Sequence, residues 1–103
     1  MSEMIHVGMA GLGTVGSGVY RVLNRNSEHI VESIGHGVKI KRVVCRNLQK
    51  ARNLVADTVE LSCDWRSLVN DPEIEIVIEV MGGIEPAKSL ILEALRQGKN
   101  VIT

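Results

Sequence analysis

The chain has 103 residues, which is enough for one domain with its own core and short for two. Apolar residues make up 45% and charged residues 23% of the chain, an ordinary globular composition that argues against disorder. Because Lys plus Arg and Asp plus Glu both number 12, we expect no general attraction to nucleic acid or to an anionic membrane. Any cationic site must therefore be local.

The sequence contains little that indicates export, a disulfide bond or a metal site. The apolar runs are short and the amino terminus lacks the basic segment and apolar core of an export signal, so a cytoplasmic protein without a membrane span is expected. Cys45 and Cys63 lack C-x-x-C spacing and are predicted to be unpaired packing residues. The three histidines are scattered without the spacing of metal ligands, so no metal site is predicted.

The first half of the chain predicts a strand, two helices and a second strand. The apolar run from Met4 to Met9 leads directly into a glycine-rich turn, as a buried parallel strand does before a helix. The next helix is predicted to pack on the sheet through a stripe of Val15, Val19, Val22 and Leu23. Ser27 resembles the cap of a further helix, with a stripe of Ile30, Val31 and Ile34 before Gly35 and Gly37. Lys39 to Cys45 is the second predicted strand.

The second half continues the alternation of helix and strand. Its first predicted elements are a short helix over Leu48 to Val55 with Lys50 and Arg52 on its exposed side, a brief strand over Glu60 to Ser62, a helical turn over Trp65 to Val69 capped by Asp64, and a strand over Ile74 to Val80. Pro86 is expected at the first position of a helix that Gly98 ends, with an apolar face of Leu90, Ile91, Ala94 and Leu95. Asn100 to Thr103 begins a fifth strand.

This order of elements, without an internal repeat, is typical of the α/β class with a doubly wound parallel sheet and helices on both faces. The predicted strand order is 3-2-1-4-5. The chain ends where the fifth strand would finish, so the helix that normally covers that flank is missing. We therefore expect a fragment, or an assembly that covers this flank.

Gly11, Gly13 and Gly16 match the pattern G-x-G-x-x-G between a predicted strand and a predicted helix, as in dinucleotide-binding proteins. The first glycine permits a tight turn, the second lets a pyrophosphate approach the backbone, and the third lets the helix pack close to the strand. The expected pyrophosphate site also includes Leu12 within the turn and the backbone N–H groups near Thr14 and Val15. An ordinary glycine-rich turn without a ligand is the alternative. No lysine follows the last glycine, which sets aside a P-loop.

Arg46 stands at the end of the second predicted strand, where an NAD-preferring domain would place Asp or Glu for the adenosine ribose. A guanidinium offers paired donors that suit a 2′-phosphate, and Lys50 could add a second positive charge. The pattern therefore predicts NADP as the cofactor, with NAD still possible. The alternative is that both cations belong to a solvated basic face of a short helix.

Residues at the ends of the fourth and fifth strands complete the predicted cofactor site, because ligands of doubly wound sheets lie outside the carboxyl ends of the strands. The segment from Glu79 to Gly83 and Thr103 both lie at this edge. Gly82, Gly83 and Thr103 are predicted to border the ribose and nicotinamide, and Met81 is also predicted to belong to the cofactor site. A simple strand-ending turn is the alternative for the two glycines, as is an exposed strand-end carboxylate for Glu79.

Three stretches together resemble the N-terminal NAD(P)-binding domain of homoserine dehydrogenase along almost the entire chain. They are GLGTVGSGVYRVL, IKRVVCRNLQKAR and IEIVIEVMGGIEPAKSLILEALRQGKNVIT. The glycine motif alone does not distinguish families. The E-x-M-G-G-x-E-P segment from Glu79 to Pro86 is far more particular, as is the long interval between Gly16 and Arg46.

The resemblance implies a Rossmann-like domain over residues 1–103 of a homo-oligomer. It further implies reversible NAD(P)-dependent reduction of L-aspartate 4-semialdehyde to L-homoserine, on the route to threonine, methionine and isoleucine. In that family Ala-Asn-Lys typically follows the position of Thr103, and that lysine and residues of a substrate domain assist proton transfer. Because these lie outside this chain, we expect no catalytic residue in it and cofactor binding without turnover. The cofactor domain of another oxidoreductase, such as a sugar or amino-acid dehydrogenase, and a non-catalytic nucleotide sensor are the alternatives.

Overall fold

The computed structural model describes residues 4–83 and 85–103, apart from the side chains of Ile30 and Ile34. Its strands are β1 (Met4–Ala10), β2 (Gly37–Val44), β3 (Glu60–Ser62), β4 (Ile74–Glu79) and β5 (Asn100–Ile102). Its helices are α1 (Thr14–Arg25), α2 (Ser27–Ile34), α3 (Leu48–Leu54), α4 (Arg66–Val69) and α5 (Ala87–Arg96). All strand pairs are parallel and the order is β3-β2-β1-β4-β5, which confirms the predicted topology.

Helices cover both faces of the sheet. Side chains alternate between the two faces along each strand, so each face presents its own apolar residues to these helices. On one face, Val7 and Met9 of β1 pack with Tyr20 of α1. On the opposite face, Val77 of β4 packs with Leu90 of α5, together with residues of α4. Two apolar cores therefore hold the sheet in place, as expected for this fold class.

The apolar stripe of α1 differs from the prediction. Val19 and Leu23 pack against the core, whereas Val15 and Val22 are 64% and 58% exposed. The prediction that Val15 and Val22 pack on the sheet is wrong, because the face of α1 turned inward is centred on Gly16 and Tyr20. Tyr20 also accepts a hydrogen bond at its hydroxyl from the Ala56 N–H over 3.0 Å, which ties α1 to the end of α3.

The ends of the elements follow the predicted signals within one or two residues. Gly35 has a left-handed conformation with φ of 77° and caps α2, and Gly98 with φ of 82° follows α5. Pro86 directly precedes the first residue of α5, whereas it was predicted to be the first helical residue. Leu95 is 56% exposed, so the prediction that it lies on the packed face of α5 is wrong. The predicted stripe positions Ile30 and Ile34 concern side chains outside the described part of the chain. Among the residues described, no helix is long and apolar enough to cross a membrane.

Charged side chains connect the segment at the start of β4 to β2 and to the residue before β5, near the amino-terminal edge of the sheet. Lys41 donates hydrogen bonds from Nζ to Asp71 Oδ2 over 2.6 Å and to Glu73 Oε1 over 2.7 Å. Lys99 Nζ donates to the carbonyl oxygens of Asp71 and Ile74, each over 2.7 Å. Asp71 is buried, so its carboxylate depends on its ion pairs with Lys41 and Arg42 to remain charged.

We expect Asp71→Asn to lower the free energy of unfolding by about 1 to 2 kcal/mol at pH 7. Burial alone would raise the pKa of Asp71, but hydrogen bonds from Lys41 and the Glu73 N–H, and attraction to Lys41 and Arg42, lower it overall. A carboxyl group whose pKa is lowered by folding stabilises the fold above its unfolded pKa of about 3.9 and loses this contribution as the pH falls through its folded value.

Urea unfolding at pH 7 and at about pH 3 tests this expectation, with Asp57→Asn as the matched control at an exposed position. The deficit of the Asp71 variant relative to the parent chain should shrink at the lower pH, whereas the control should match the parent at both. A deficit of the same size at both values would contradict an ionic role for Asp71.

Candidate functional site

A cleft of about 620 Å³ opens at the carboxyl ends of β1, β2 and β4, where doubly wound sheets bind their ligands. Its volume lies in the range of small-molecule and cofactor sites. The sequence-predicted residues that line it are Gly11, Leu12, Gly13, Arg46, Lys50, Met81 and Gly82. The fold thus brings together segments from three separate predicted turns.

The turn between β1 and α1 depends on glycine for its shape. Gly11 has φ of 105°, a conformation that favours glycine, and a Cβ there would lie 2.8 Å from the Val80 carbonyl oxygen. Its N–H donates to the Val44 carbonyl oxygen over 2.8 Å, which continues the sheet into the turn. A Cβ on Gly13 would meet nothing within 4 Å, so at this position the backbone borders open space in the cleft.

The amino end of α1 is free to interact with an anion. Gly13 caps the helix without a side-chain hydrogen bond, and the first turn contains no acidic residue. The first N–H groups of a helix have no partner within the helix, and the helix dipole makes this end electropositive. The geometry therefore fits a phosphate group beside Gly13, Thr14 and Val15.

One wall of the cleft carries positive charge. Arg46 lies two residues beyond the end of β2, and Lys50 lies in the first turn of α3; both are exposed. The Asn47 side chain caps α3 by accepting a hydrogen bond from the Lys50 N–H over 2.9 Å, which fixes the start of this helix. No Asp or Glu is among the described residues that line the cleft. The wall is therefore suited to an anionic group.

The turn after β4 forms the opposite side of the cleft. Gly82 and Gly83 have φ of 76° and 81°, so this turn also uses the left-handed conformation. Glu79 is partly buried and accepts a hydrogen bond from the Met81 N–H over 2.8 Å. Glu79 thus stabilises the turn and is more than the exposed strand-end carboxylate considered as an alternative.

Some predicted site residues do not line the cleft. They are Thr14, Val15, Gly16, Gly83 and Thr103. Thr14 and Val15 begin α1, and Gly16 is buried against the Gly11 carbonyl group and Val80. Thr103 is exposed just beyond β5. Gly16 therefore acts through packing, since its absent side chain leaves room for the turn.

Several side chains that line the cleft were not predicted as site residues, among them Cys45, Cys63 and Trp65. They follow β2 and β3, two neighbouring strands whose ends meet only once the strand order is known. Neither thiol forms a disulfide bond, but Cys63 is exposed, so the prediction that it is a packing residue is wrong. Burial raises the pKa of the Cys45 thiol, and the nearby Cys63 adds to this effect. The one signal in the sequence was that Trp65 is the only tryptophan.

The residues that line the cleft are suited to binding a ligand. Backbone N–H groups and two cations can hold phosphates, while Trp65 and the apolar residues can contact a flat ring system. Within residues 4–83 and 85–103, no group of three or more His, Cys, Asp or Glu side chains is placed to hold a metal ion.

Comparison with known proteins identifies clear relatives. The family model described as homoserine dehydrogenase, NAD binding domain, matches residues 11–103. A homoserine dehydrogenase from Methylobacillus glycogenes is 43% identical over 99 residues, which cover 96% of this chain and 24% of that protein. The crystal structure of the homoserine dehydrogenase from Thiobacillus denitrificans has a TM-score of 0.88 at 44% identity, covering 97% of this chain and 23% of that one.

The structural match extends to a more distant member. The crystal structure of S. aureus homoserine dehydrogenase at pH 6.0 has a TM-score of 0.89 at 34% identity, covering 98% of this chain and 26% of that one. The chain thus spans about a quarter of the length of the relatives it matches.

Proposed function

Since this chain belongs to the homoserine dehydrogenase family as its NAD-binding domain, we propose that the cleft at the carboxyl edge of the sheet is its dinucleotide site. The observation that carries this proposal is that the glycine turn opens into the cleft together with the amino end of α1, where Gly13 makes no side-chain capping hydrogen bond. Gly11, Gly13 and the first N–H groups of α1 hold the pyrophosphate. The turn after β4 borders the ribose and nicotinamide, with Thr103 at the same edge.

The cleft prefers NADP to NAD in this proposal. Arg46 and Lys50 stand on the wall that follows β2, which is the position that contacts the adenosine ribose in such domains. A guanidinium can donate paired hydrogen bonds to a 2′-phosphate, and Lys50 adds attraction. No acidic side chain among the described cleft residues is available to accept hydrogen bonds from a free 2′-hydroxyl.

The longer protein is proposed to interconvert L-aspartate 4-semialdehyde and L-homoserine, as the family name implies, in a cytoplasmic homo-oligomer that supplies threonine, methionine and isoleucine synthesis. The dinucleotide supplies the hydride. Residues 1–103 position the dinucleotide, and the groups that bind substrate and transfer the proton belong to parts of the longer protein outside these residues. This chain by itself should therefore bind cofactor without turning over homoserine.

Calorimetric titration of the chain with NADPH, NADP, NADH and NAD tests the site. Binding should be measurable for the phosphorylated pair and weaker for the other two. A chain that is folded by circular dichroism and binds none of the four would refute the dinucleotide site. Robust turnover of homoserine by this chain would refute the assignment of the proton-transfer groups to residues outside 1–103.

We expect Arg46→Ala to weaken NADPH binding by about thirtyfold, equivalent to about 2 kcal/mol, because it removes charge-assisted hydrogen bonds to the 2′-phosphate. NADH binding should change little, since NADH lacks that phosphate. The same titration measures both affinities.

Arg21→Ala is the matched control, because it removes the same charge from an exposed position on α1 outside the cleft. It should leave both affinities near those of the parent chain. Equal losses for NADPH and NADH in the Arg46 variant would exclude Arg46 as the determinant of cofactor preference.

A further inference from the structure

Two cysteines that line the cleft lie side by side, directly after the ends of two neighbouring strands. Cys45 directly follows the last residue of β2, and Cys63 directly follows the last residue of β3. The two strands are in register with Val44 opposite Ser62, and the Cys45 N–H donates to the Ser62 carbonyl oxygen over 2.9 Å. The cysteines therefore occupy adjacent positions on neighbouring strands.

The spacing of these positions suits a disulfide bond. Neighbouring strands lie about 4.8 Å apart, and the Cα atoms of disulfide-bonded cysteines are usually about 4.4 to 6.8 Å apart. Cys45 Sγ lies 3.8 Å from the Asn47 carbonyl oxygen, and Cys63 Sγ lies 3.9 Å from that of Arg46. Both sulfur atoms thus approach consecutive peptide groups of one loop. These thiol contacts are weak and can be given up at little cost.

The two thiols differ in access. Cys63 is exposed, whereas Cys45 is partly buried where the strand ends. An incoming reagent therefore reaches Cys63 first, and Cys45 is positioned to react second. This arrangement of an accessible thiol beside a second one is typical of cysteines that undergo thiol–disulfide exchange.

We propose that Cys45 and Cys63 form an oxidisable thiol pair that low-molecular-weight disulfides close, and that closure weakens dinucleotide binding. The Cys63 thiolate attacks one sulfur of the small disulfide, forming a mixed disulfide and releasing the first small thiolate. The Cys45 thiolate then attacks the Cys63 sulfur, which forms the protein disulfide and releases the second. The small disulfide gains two electrons, and the protons of the two cysteine thiols end on the two released thiols.

The effect on binding follows from the loop that both sulfurs contact, and it rests on the proposed function. Formation of the disulfide breaks the contact between Cys45 and the Asn47 carbonyl group and the contact between Cys63 and the Arg46 carbonyl group. Asn47 caps α3, and Arg46 and Lys50 are the residues proposed to hold the 2′-phosphate. Moving this loop therefore displaces the cationic wall of the cleft. A bound dinucleotide should in turn slow the reaction by covering the thiols.

Peptide mapping after treatment of the chain with oxidised glutathione tests the thiol pair. Cleavage after Arg and Lys produces one peptide over residues 43–46 with Cys45 and another over residues 53–66 with Cys63. Mass spectrometry without reduction should detect these two peptides joined. In Cys45→Ser the reaction should stop at a glutathione adduct on Cys63, and Cys63→Ser should react more slowly. A lasting adduct on Cys63 of the parent chain, without joined peptides, would overturn the pair.

Titration with NADPH, after free glutathione is removed, tests the effect on binding. The oxidised chain should bind about tenfold more weakly than the reduced chain, as for the loss of one charge-assisted hydrogen bond, and dithiothreitol should restore affinity. Equal affinities of the oxidised and reduced chains would overturn this effect alone. A reduced chain that binds no dinucleotide would refute the proposed function and the effect together, while the peptide map would still decide the thiol pair.

Discussion

Replacing Gly16 with alanine is expected to lower the free energy of unfolding by about 3 kcal/mol, the upper end of the usual cost of overpacking. A Cβ at this position would overlap the Gly11 carbonyl oxygen and lie 3.2 Å from Val80 Cγ2. The Gly11 oxygen belongs to the backbone, so it cannot move aside as the end of a side chain could. The first turn of α1 must therefore shift away from the sheet, which should also weaken NADPH binding.

Gly18→Ala is the matched control two residues further along the same helix. A Cβ at Gly18 would meet nothing within 4 Å, so this variant gains helix propensity without a clash. It should be more stable than the parent chain by about 0.5 to 1 kcal/mol. Urea unfolding measures both variants. Equal stabilities of the two would disprove the close approach of α1 to the turn.

Leu90→Ala is expected to cost about 3 kcal/mol, because it leaves a cavity between α5 and the sheet. Leu90 is fully buried in the core that also contains Leu68 of α4 and Val77 of β4. The loss includes both the transfer of the side chain from water and the contacts of its neighbours. Chemical unfolding should show a lower midpoint with an unchanged slope.

Leu92→Ala makes the same chemical change two residues along α5, where the side chain is 58% exposed. Its effect on stability should stay within about 0.5 kcal/mol. A loss at Leu92 comparable to that at Leu90 would mean that another surface covers α5 in solution.

The sheet topology could be predicted because its signals are local in the sequence. The β-branched run of β4, the glycine after α2 and the glycine turn after β1 each mark an element or its end. Right-handed crossovers then leave few possible strand orders. The contacts of α1 could not be predicted in the same way. Helical spacing shows which residues lie on one side of a helix, but it does not show which of them lies closest to the sheet. Tyr20 is buried instead of Val22, and its hydroxyl group accepts a hydrogen bond from the N–H of Ala56, 36 residues away.

The candidate site was predicted unevenly for the same reason. The glycine turn and Arg46 follow predicted strands, so their place at the carboxyl edge could be derived from the topology. Cys45, Cys63 and Trp65 carry no motif, and they meet only because β2 and β3 are neighbours. Sequence spacing does not encode that proximity.

The charged residues at the amino-terminal edge of the sheet have an evolutionary consequence. At the edge opposite the cleft, the Asp71 carboxylate contacts Lys41 and the Asp71 carbonyl oxygen contacts Lys99. None of these three residues lines the cleft. Substitutions there can change thermal tolerance while leaving the proposed dinucleotide cleft intact. Descendants of such a domain could thus adapt to new growth temperatures and to new cofactor supplies through separate sets of mutations.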